Sequence, residues 1–306
     1  MKFQPEGSLI NTQENQYYLQ NIRTLQEARS SNKVLEAKAI KCDSKHDLIV
    51  PLGAVKGIIP RENGALGLDD GSVRDIAVIS KVNKPVAFVV EEFVQDESGE
   101  TVAILNRKAV QRRCLDEYLS TLRSGDVIDA KICHTENFGA FADVGAGISA
   151  LLPIDGISVS RIPHPSSRFS HNQNIKAVVK CRDELGRIVL SHKELLGTWE
   201  ENCSSFDVGD TVPGIVRSVE KYGIFVELTP NLAGLAEYTD DVKCDQSVSV
   251  YIKSIIPQRM KIKLIIVDSF EAECEKTQIK YFFEGDHISR WQYSPENCEK
   301  TIESFF

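Results

Sequence analysis

The sequence lacks the cysteine spacing of a metal-binding or redox protein. It has eight cysteines in 306 residues, at positions 42, 114, 133, 181, 203, 244, 274 and 298, and no two form a Cys-x-x-Cys pair. This pattern excludes a zinc ribbon and a thioredoxin-type site. Scattered cysteines in a chain of this length are typical of a reducing compartment, where thiols pack as small apolar side chains.

The sequence also lacks hydrophobic targeting segments. No apolar run approaches the ~20 residues of a membrane-spanning helix, and residues 1–7 lack the charged-then-apolar pattern of a signal peptide. We therefore expect a cytoplasmic protein with no membrane partner.

Positive charge is scarce relative to negative charge. The chain has 36 Lys and Arg residues against 44 Asp and Glu residues, which gives a formal net charge of -8. This balance excludes a protein whose whole surface binds duplex DNA, but it is compatible with a local basic or aromatic groove.

Common catalytic motifs are absent. The sequence contains no P-loop, no Gly-x-Ser-x-Gly elbow, no His-Glu-x-x-His and no Rossmann glycine set. The six histidines are not spaced as ligand pairs, and the acidic pairs Asp69-Asp70 and Asp240-Asp241 fall in predicted turns, where solvation is favoured over a metal-dependent nuclease site. The sequence therefore predicts no enzyme, no catalytic residue, no metal site, no cofactor and no small-molecule substrate.

An internal repeat is the most informative feature present. Residues 125–144 and 209–228 align without a gap. Each stretch has Gly-Asp, then an alternating strand-like run, then aromatic-Gly-small-Phe, then a second run. Such self-similarity fixes the architecture of a chain.

The region around the second repeat copy predicts a small barrel. Five short strands are expected at 211–219, 224–228, 232–236, 247–256 and 260–267, with no helix long enough for a crossover. This pattern indicates the OB-fold, a five-stranded Greek-key barrel whose open face binds oligonucleotides. Residues 57–62 occupy the same relative place as residues 150–155, which indicates a divergent third copy. The predicted fold class is mainly β with flanking helices, comprising three tandem OB-fold barrels of which the first is degenerate.

The predicted domain organisation has seven segments. They are an N-terminal helical segment at 1–32, a degenerate OB-like barrel at 33–108, a linking helix at 109–123, a second barrel at 124–194, a helical join at 195–206, a third barrel at 207–269 and a C-terminal extension at 270–306. Within these, we expect one helix at 14–30, a strand-like run at 73–82, a polar helix at 271–280 and a terminal helix at 295–306. The extension is expected to cap the third barrel.

The aromatic residues of the repeat are candidates for a binding surface. Phe138 and Phe141, like Tyr222 and Phe225, are three residues apart and would point to opposite faces of a regular strand. The intervening glycine permits a bulge that re-phases the strand, so both rings could share one face. Exposed rings would stack bases, at about 1–3 kcal/mol each. Burial of one or both rings in the barrel core remains the alternative.

These features resemble a known family. Gly-Asp-x-hydrophobic, then aromatic-Gly-Ala-Phe, then Asp-x-x-x-Arg-hydrophobic-x-Leu-Ser, is similar to the S1 RNA-binding domain of bacterial ribosomal proteins. The resemblance covers 124–194 well, 207–268 fairly well and 33–108 only as a degraded copy. Residues 194–202 and 218–240 further resemble clostridial-type S1-domain proteins. The resemblance implies an OB barrel that binds single-stranded RNA through two aromatics, a His and an Asp/Arg pair.

The resemblance assigns the second barrel most of these positions. It implies RNA-binding roles for Phe138, Phe141, Asp183 and Arg187. Arg187 would contact phosphate or stack beneath a base, and Asp183 would orient Arg187 or accept a hydrogen bond from a base edge. Pro153 stands where the family has its His, which removes one contact.

The third barrel departs further from the family pattern. The resemblance implies roles for Tyr222, Phe225 and Lys261, with Lys261 in the Arg place. Glu237 replaces the His and Pro257 the Asp. The Glu237 carboxylate should repel phosphate. The nearby cations Lys253, Arg259 and Lys263 could offset its negative charge. The first barrel has Lys45, Leu48, Pro60, Ser98 and Val102 at the five places, which indicates a structural role or a protein partner.

Two functional hypotheses follow. The first is a single-stranded RNA-binding protein of translation that holds mRNA by stacking and phosphate contacts, with the small ribosomal subunit as a candidate partner. The alternative is an OB-fold interaction scaffold that docks on the ribosome or another complex with weak or no RNA contact. The loop at 158–174 contains His164, Arg168 and His171. For these residues, an exposed loop position without a binding role is favoured over contact with RNA phosphate.

Overall fold

The computed structural model describes residues 2–53, 55–270 and 279–306. Two compact units are present. One comprises residues 1–122 together with 143–149, and the other comprises residues 123–142 and 150–306. The division into seven segments stays a prediction.

The first unit begins with two short helices, so the prediction of one helix at 14–30 is wrong. The helices are α1 (Gln13–Tyr18) and α2 (Ile22–Ser30). Asn21 and Thr24 form a capping box in which the side chain of each accepts a hydrogen bond from the backbone N–H of the other. This reciprocal cap starts a new helix at Ile22.

A six-stranded sheet follows the helices. Its strands are β1 (Leu35–Lys38), β2 (Lys41–Cys42), β3 (Leu48–Leu52), β4 (Val55–Ile59), β5 (Pro85–Gln95) and β6 (Thr101–Asn106). The strand order is β1-β5-β6-β4-β3-β2. Only Ala39 and Ile40 separate β1 from β2, so the two edge strands are halves of one interrupted first strand.

One short helix replaces part of the predicted β content of this unit. The strand-like run predicted at 73–82 is wrong, because α3 (Ile76–Ile79) occupies its centre. Val78 points into the core, whereas Ile76 is exposed. After β6, Asn106 caps α4 (Arg107–Glu117) by accepting a hydrogen bond from the backbone N–H of Ala109.

Two closed barrels account for most of the second unit. The second barrel of the chain is built from β7 (Val127–Glu136), β8 (Gly139–Asp143), β9 (Ser149–Pro153), β10 (Asn174–Arg182) and β11 (Ile188–Ser191). The third barrel is built from β12 (Thr211–Glu220), β13 (Gly223–Thr229), β14 (Leu232–Ala236), β15 (Ser247–Ile256) and β16 (Lys261–Phe270). Their orders are β7-β8-β9-β11-β10 and β12-β13-β14-β16-β15.

The three sheets share one topology. In each barrel of the second unit the third and fifth strands pair in parallel, and in the first unit β4 and β6 do the same. With β1 and β2 counted as one strand, the first sheet has the same strand order as the barrels. The predicted fold class of tandem OB-fold units with a divergent first copy is therefore confirmed.

Short helices surround the barrels. They are α5 (Ile154–Ile157) after β9 and α6 (Trp199–Cys203) between the barrels, preceded by a 3₁₀ helix at Lys193–Leu196. Thr198 and Glu201 form a capping box that fixes the start of α6. The buried Trp199 side chain lies in the core beside the third barrel.

The prediction of a terminal helix at 295–306 is wrong. The chain forms two short antiparallel strands, β17 (Arg290–Gln292) and β18 (Glu303–Phe305). Trp291 and Tyr293 are buried in the core of the third barrel, and the Tyr293 hydroxyl donates to the Asn231 carbonyl. Backbone pairing of Tyr293 N–H with Ile302 O at 2.8 Å replaces helical hydrogen bonds. Most of the helix predicted at 271–280 lies outside the described residues.

Candidate nucleic-acid interface

The third barrel presents an aromatic pair at its first hairpin. Glu220 of β12 pairs with Gly223 of β13, so Lys221 and Tyr222 form a two-residue turn. The Tyr222 side chain is 70% exposed. Its ring meets that of Phe225 edge to face, with centroids 6.1 Å apart and planes at 85°. This is the arrangement that aromatic quadrupoles favour.

The second barrel has the same pair at the equivalent hairpin. Asn137 and Phe138 form the turn between β7 and β8, and the Phe138 side chain is 56% exposed. Its ring lies 6.0 Å from that of Phe141, with the planes at 86°. All four rings therefore have access to solvent, and the outer member of each pair is mostly uncovered. The alternative left open by the sequence was burial of one or both rings in the barrel core, and no ring of either pair is fully buried.

The glycine of the signature acts differently from the prediction. The first aromatic lies in the hairpin turn, so no bulge between the two rings is needed, and that expectation is wrong. A Cβ atom on Gly139 would lie 2.4 Å from Leu152 O, and one on Gly223 would lie 2.6 Å from Ala236 O. Each glycine thus permits close approach of the hairpin to the third strand, which holds the turn aromatic beside that strand.

Asp183 organises the turn between β10 and β11. Its Oδ1 accepts hydrogen bonds from the backbone N–H groups of Leu185 at 3.0 Å and Arg187 at 2.8 Å. Its Oδ2 accepts from Arg187 Nε at 2.7 Å, and this bond is the main cause that lowers the pKa of the Asp183 carboxyl. The Arg187 side chain remains 69% exposed. Its guanidinium is therefore oriented by the turn yet accessible to an anion.

Strand register puts Arg187 and Lys261 at equivalent places. In the second barrel Leu151 of β9 pairs with Val189 of β11, and in the third barrel Leu235 of β14 pairs with Lys263 of β16. Arg187 precedes Val189 by two residues, as Lys261 precedes Lys263. Residues two apart share one face of a strand.

The third barrel has further cations on this face. Phe225, Leu235 and Lys263 lie in one cross-strand row over β13, β14 and β16. Lys253 approaches Glu237, with Nζ 3.9 Å from Oε1. Lys221 is exposed in the turn directly before Tyr222. Lys221 was not among the predicted site residues, although its place next to the signature aromatic was a usable signal.

The hairpin before Lys261 is closed without an aspartate. A 3₁₀ helix at Pro257–Arg259 leads to Met260, which has a left-handed backbone. Arg259 Nε bonds Glu299 Oε1 at 2.9 Å, and Glu299 N–H donates to Gln258 O. Arg259, one of the cations expected to compensate for the negative charge of Glu237, is therefore paired with Glu299 of the C-terminal segment.

The loop at 158–174 does not supply Arg168 to the surface. Arg168 is 2% exposed and donates through Nη1 and Nη2 to the two carboxylate oxygens of Glu227 at 2.7 and 2.8 Å. Phe169 beside it is also buried. His171 is exposed, whereas His164 is half-buried and its ring accepts from the Ser166 N–H at 3.1 Å.

The first unit has no aromatic pair at the corresponding hairpin. Leu48, one of the five places aligned with the family, is buried in its core, and Val102, another of these places, is also buried. The residues that face outward in one cross-strand row of this sheet are Ile49 of β3, Ile58 of β4 and Ile104 of β6. This row corresponds to Phe225, Leu235 and Lys263 in the third barrel. The alignment at Leu48 is therefore one residue out of register, and Ile49 takes the place of the inner aromatic.

The described residues contain no group of three or more His, Cys, Asp or Glu side chains arranged to hold a metal ion. The acidic pairs noted in the sequence have local partners. Asp69 bonds Lys108, Asp240 accepts from the Tyr238 hydroxyl, and Asp241 accepts from the Thr239 hydroxyl. Within the same residues, no helix has the length and apolarity required to cross a membrane.

Comparison with known proteins gives one family match and many relatives. Residues 121–193 match the S1 RNA binding domain. The chain is 32% identical over 222 residues to small ribosomal subunit protein bS1 of Staphylococcus aureus strain COL, an alignment covering 71% of this chain and 54% of the relative. It is 28% identical over 316 residues to the bS1 homolog of Bacillus cereus, covering 89% of this chain and 80% of the relative.

The match to a solved structure is weaker. A multidomain protein with nucleic acid binding domains from Streptococcus pneumoniae aligns over 78% of this chain and 75% of its own, with 13% identity and a TM-score of 0.25. The chain spans about half the length of the first S. aureus relatives, 54%. The chain therefore carries an S1 RNA binding domain at residues 121–193 and is similar over most of its length to proteins named small ribosomal subunit protein bS1 or bS1 homolog.

Proposed function

We propose that the chain binds single-stranded RNA, with mRNA as its biological ligand, through the aromatic hairpins of the second and third barrels. The supporting observation is the recurrence of one exposed edge-to-face pair at the same hairpin of two barrels. Solvent-facing rings on an OB barrel stack bases with little sequence preference. In each barrel a cation, Arg187 or Lys261, occupies the equivalent place on the last strand.

In this proposal each predicted residue has a physical role. Phe138 and Phe141 stack bases on the second barrel, and Tyr222 and Phe225 do so on the third. Arg187, held by Asp183, contacts phosphate or stacks beneath a base, and Lys261 contacts phosphate as a point charge. The chemistry required is binding alone, so we propose no catalytic step.

We also propose a cytoplasmic role in translation in contact with the small ribosomal subunit. Relatives carrying the name small ribosomal subunit protein bS1 support this partner. Two barrels on one chain would gain affinity through effective concentration when a single strand spans both. No observation favours an OB-fold scaffold that lacks RNA contact.

Fluorescence anisotropy tests RNA binding directly. Full-length protein is titrated into labelled single-stranded RNA of about 12 nucleotides, within the ~4–16 that one OB fold covers. We expect Phe138→Ala with Phe141→Ala to weaken binding about tenfold or more, since each stacked base contributes about 1–3 kcal/mol. Affinity should also fall between about 50 and 200 mM salt, with a log-log slope of ~0.7 per phosphate contact.

Tyr17→Ala is the matched control. Tyr17 is an exposed ring in an edge-to-face pair with Tyr18, with centroids 5.3 Å apart, outside both hairpins. It should leave affinity unchanged. If the double alanine variant binds RNA as tightly as the wild type, the stacking platform is refuted. If RNA binding is absent while co-sedimentation with small ribosomal subunits persists, the scaffold hypothesis replaces it.

A further inference from the structure

Glu237 stands beside the aromatic pair of the third barrel. Ile224 of β13 pairs with Ala236 of β14, and Phe225 pairs with Leu235. One further step in this antiparallel register sets Glu237 opposite Gly223. Phe225, Gly223, Leu235 and Glu237 then share the outward face, since side chains alternate along strands. The carboxylate therefore borders the pair made by Tyr222 and Phe225.

The space around this carboxylate is open. Gly223 has no side chain to cover its partner, and no larger residue fits there because a Cβ atom would lie 2.6 Å from Ala236 O. The Glu237 side chain is 88% exposed. Lys253 Nζ lies 3.9 Å from Glu237 Oε1, too far for a hydrogen bond. The carboxylate oxygens thus keep acceptor capacity for a ligand.

A carboxylate in this position selects among the chemical groups of RNA. It accepts hydrogen bonds but cannot donate them, and it repels phosphate oxygens. The bases differ at the edge they present. Cytosine offers an N4 amino donor, as adenine offers N6 and guanine N2, whereas uracil has a carbonyl oxygen where cytosine has its amino group. Phosphate would instead lie toward the cations of β15 and β16, Lys253, Lys261 and Lys263.

We propose that Glu237 accepts a hydrogen bond from the exocyclic amino group of the base stacked on Tyr222 and Phe225, so that the third barrel prefers amino-bearing bases to uracil. This inference rests on the proposed stacking of bases on that pair. It explains how a carboxylate is tolerated where the S1 pattern has a His. In this barrel the position contacts a base edge, and the neighbouring lysines contact the backbone.

Cytidine and uridine oligomers give the cleanest comparison, because the two pyrimidines have similar area for stacking. Anisotropy titrations use full-length protein carrying Phe138→Ala and Phe141→Ala, so that the third barrel dominates binding. We expect this protein to bind oligocytidine about fivefold or more tighter than oligouridine. Adding Glu237→Gln should reduce the ratio to about twofold or less, because an amide both donates and accepts.

Asp268→Asn is the matched control. Asp268 is an exposed carboxylate on β16 of the same barrel, but it pairs with Ser249 of β15 and not with the strands of the Tyr222 hairpin. Removing either negative charge should raise affinity for all RNA, but only Glu237→Gln should change the cytidine-to-uridine ratio. The inference is overturned if the parent protein binds oligouridine as tightly as oligocytidine, or if Glu237→Gln leaves the ratio unchanged. Absence of RNA binding by the wild-type chain would instead count against the proposed function.

Discussion

Glu227 forms the centre of a buried charge cluster in the second unit, and its removal is our most specific stability prediction. Its carboxylate accepts from Arg168 at 2.7 and 2.8 Å and from Arg217 Nε and Nη2 at 3.0 and 3.1 Å. The side chains of Glu227 and Arg168 are each 1% exposed, and that of Arg217 is 6% exposed. Glu227→Gln would leave the buried Arg168 guanidinium without a carboxylate and Arg217 with only the half-exposed Asp245.

The expected cost is about 3–5 kcal/mol of unfolding free energy, the range measured when one partner of a buried pair is removed. Acid should have a related effect. Burial raises the pKa of Glu227, but hydrogen bonds and charge from Arg168 and Arg217 outweigh it and hold the pKa below the ordinary value of a Glu carboxyl. The cluster therefore stabilises the fold fully above that ordinary pKa, and its contribution is lost as the pH falls through the lowered pKa.

Tryptophan fluorescence is a selective assay for this unit. Both tryptophans of the chain, Trp199 and Trp291, are buried in the second unit. Urea unfolding followed by tryptophan emission therefore reports the free energy of that unit. Wild type and Glu227→Gln should differ in the midpoint of this transition.

Asp245→Asn supplies the control on the same guanidinium. Asp245 Oδ1 accepts from Arg217 Nη1 at 2.9 Å, but its side chain is 50% exposed. Its loss should cost no more than about 1 kcal/mol. A variant with Arg168→Met, Arg217→Met and Glu227→Leu should be more stable than Glu227→Gln, because it leaves no unpaired charge in the buried cluster. If Glu227→Gln costs no more than Asp245→Asn, the reasoning is refuted.

Two further predictions concern buried residues. Burial lowers the pKa of His192 from 6.5 to about 4. The hydrogen bond with Ile157 O raises this pKa, and the positive charge of Arg168 lowers it further. Below pH 6.5 the unfolded chain therefore binds a proton at His192 that the folded chain does not bind. The free energy of unfolding should fall by up to about 3 kcal/mol as the pH drops from 6.5 to 4. Urea titrations at several pH values should show this dependence, and His192→Gln should remove it. Leu48→Ala should lower the free energy of unfolding of the first unit by about 2–5 kcal/mol, whereas Ile49→Ala, at an outward position, should lower it far less. Thermal unfolding followed by circular dichroism checks this order, and the opposite order would contradict the strand register.

The barrels could be predicted from sequence because their signals are local and repeated. The strands expected at 232–236 and 247–256 are confirmed with the same bounds. On β15, Val248, Val250 and Ile252 are buried and alternate with outward residues, which is the period-two pattern. The recurrence of aromatic-Gly-x-Phe also located both ring pairs.

The C-terminal segment could not be predicted because distant contacts decide its structure. Cys298, Ile302 and Phe305 have helical spacing, but Tyr293 is fixed by Asn231 and by the Trp199 N–H, which donates to its carbonyl at 2.9 Å. These partners lie far away in sequence. The break between α1 and α2 was predictable in principle, since Asn21 and Thr24 have capping-box spacing.

Strand register in the first sheet and the burial of Arg168 also could not be predicted from the sequence. The first sheet has no aromatic marker, so a one-residue slip at Leu48 had no local signal to prevent it. Arg168 looked like a loop cation because its partner, Glu227, is 59 residues away. Nothing in the local sequence distinguishes an arginine that binds phosphate from one that neutralises a buried carboxylate.

The C-terminal segment also affects the order in which the chain can fold during synthesis. Ile288, Trp291 and Tyr293 belong to the same core cluster as Val178 of the second barrel and Val250 of the third. Domains fold as they emerge from the ribosome, N-terminal parts first. The first unit is complete once residue 149 has emerged, whereas the second must wait for residues 288–293 before its core is filled. Until then, core side chains of both barrels such as Val178 and Val250 lack the packing that Ile288, Trp291 and Tyr293 supply.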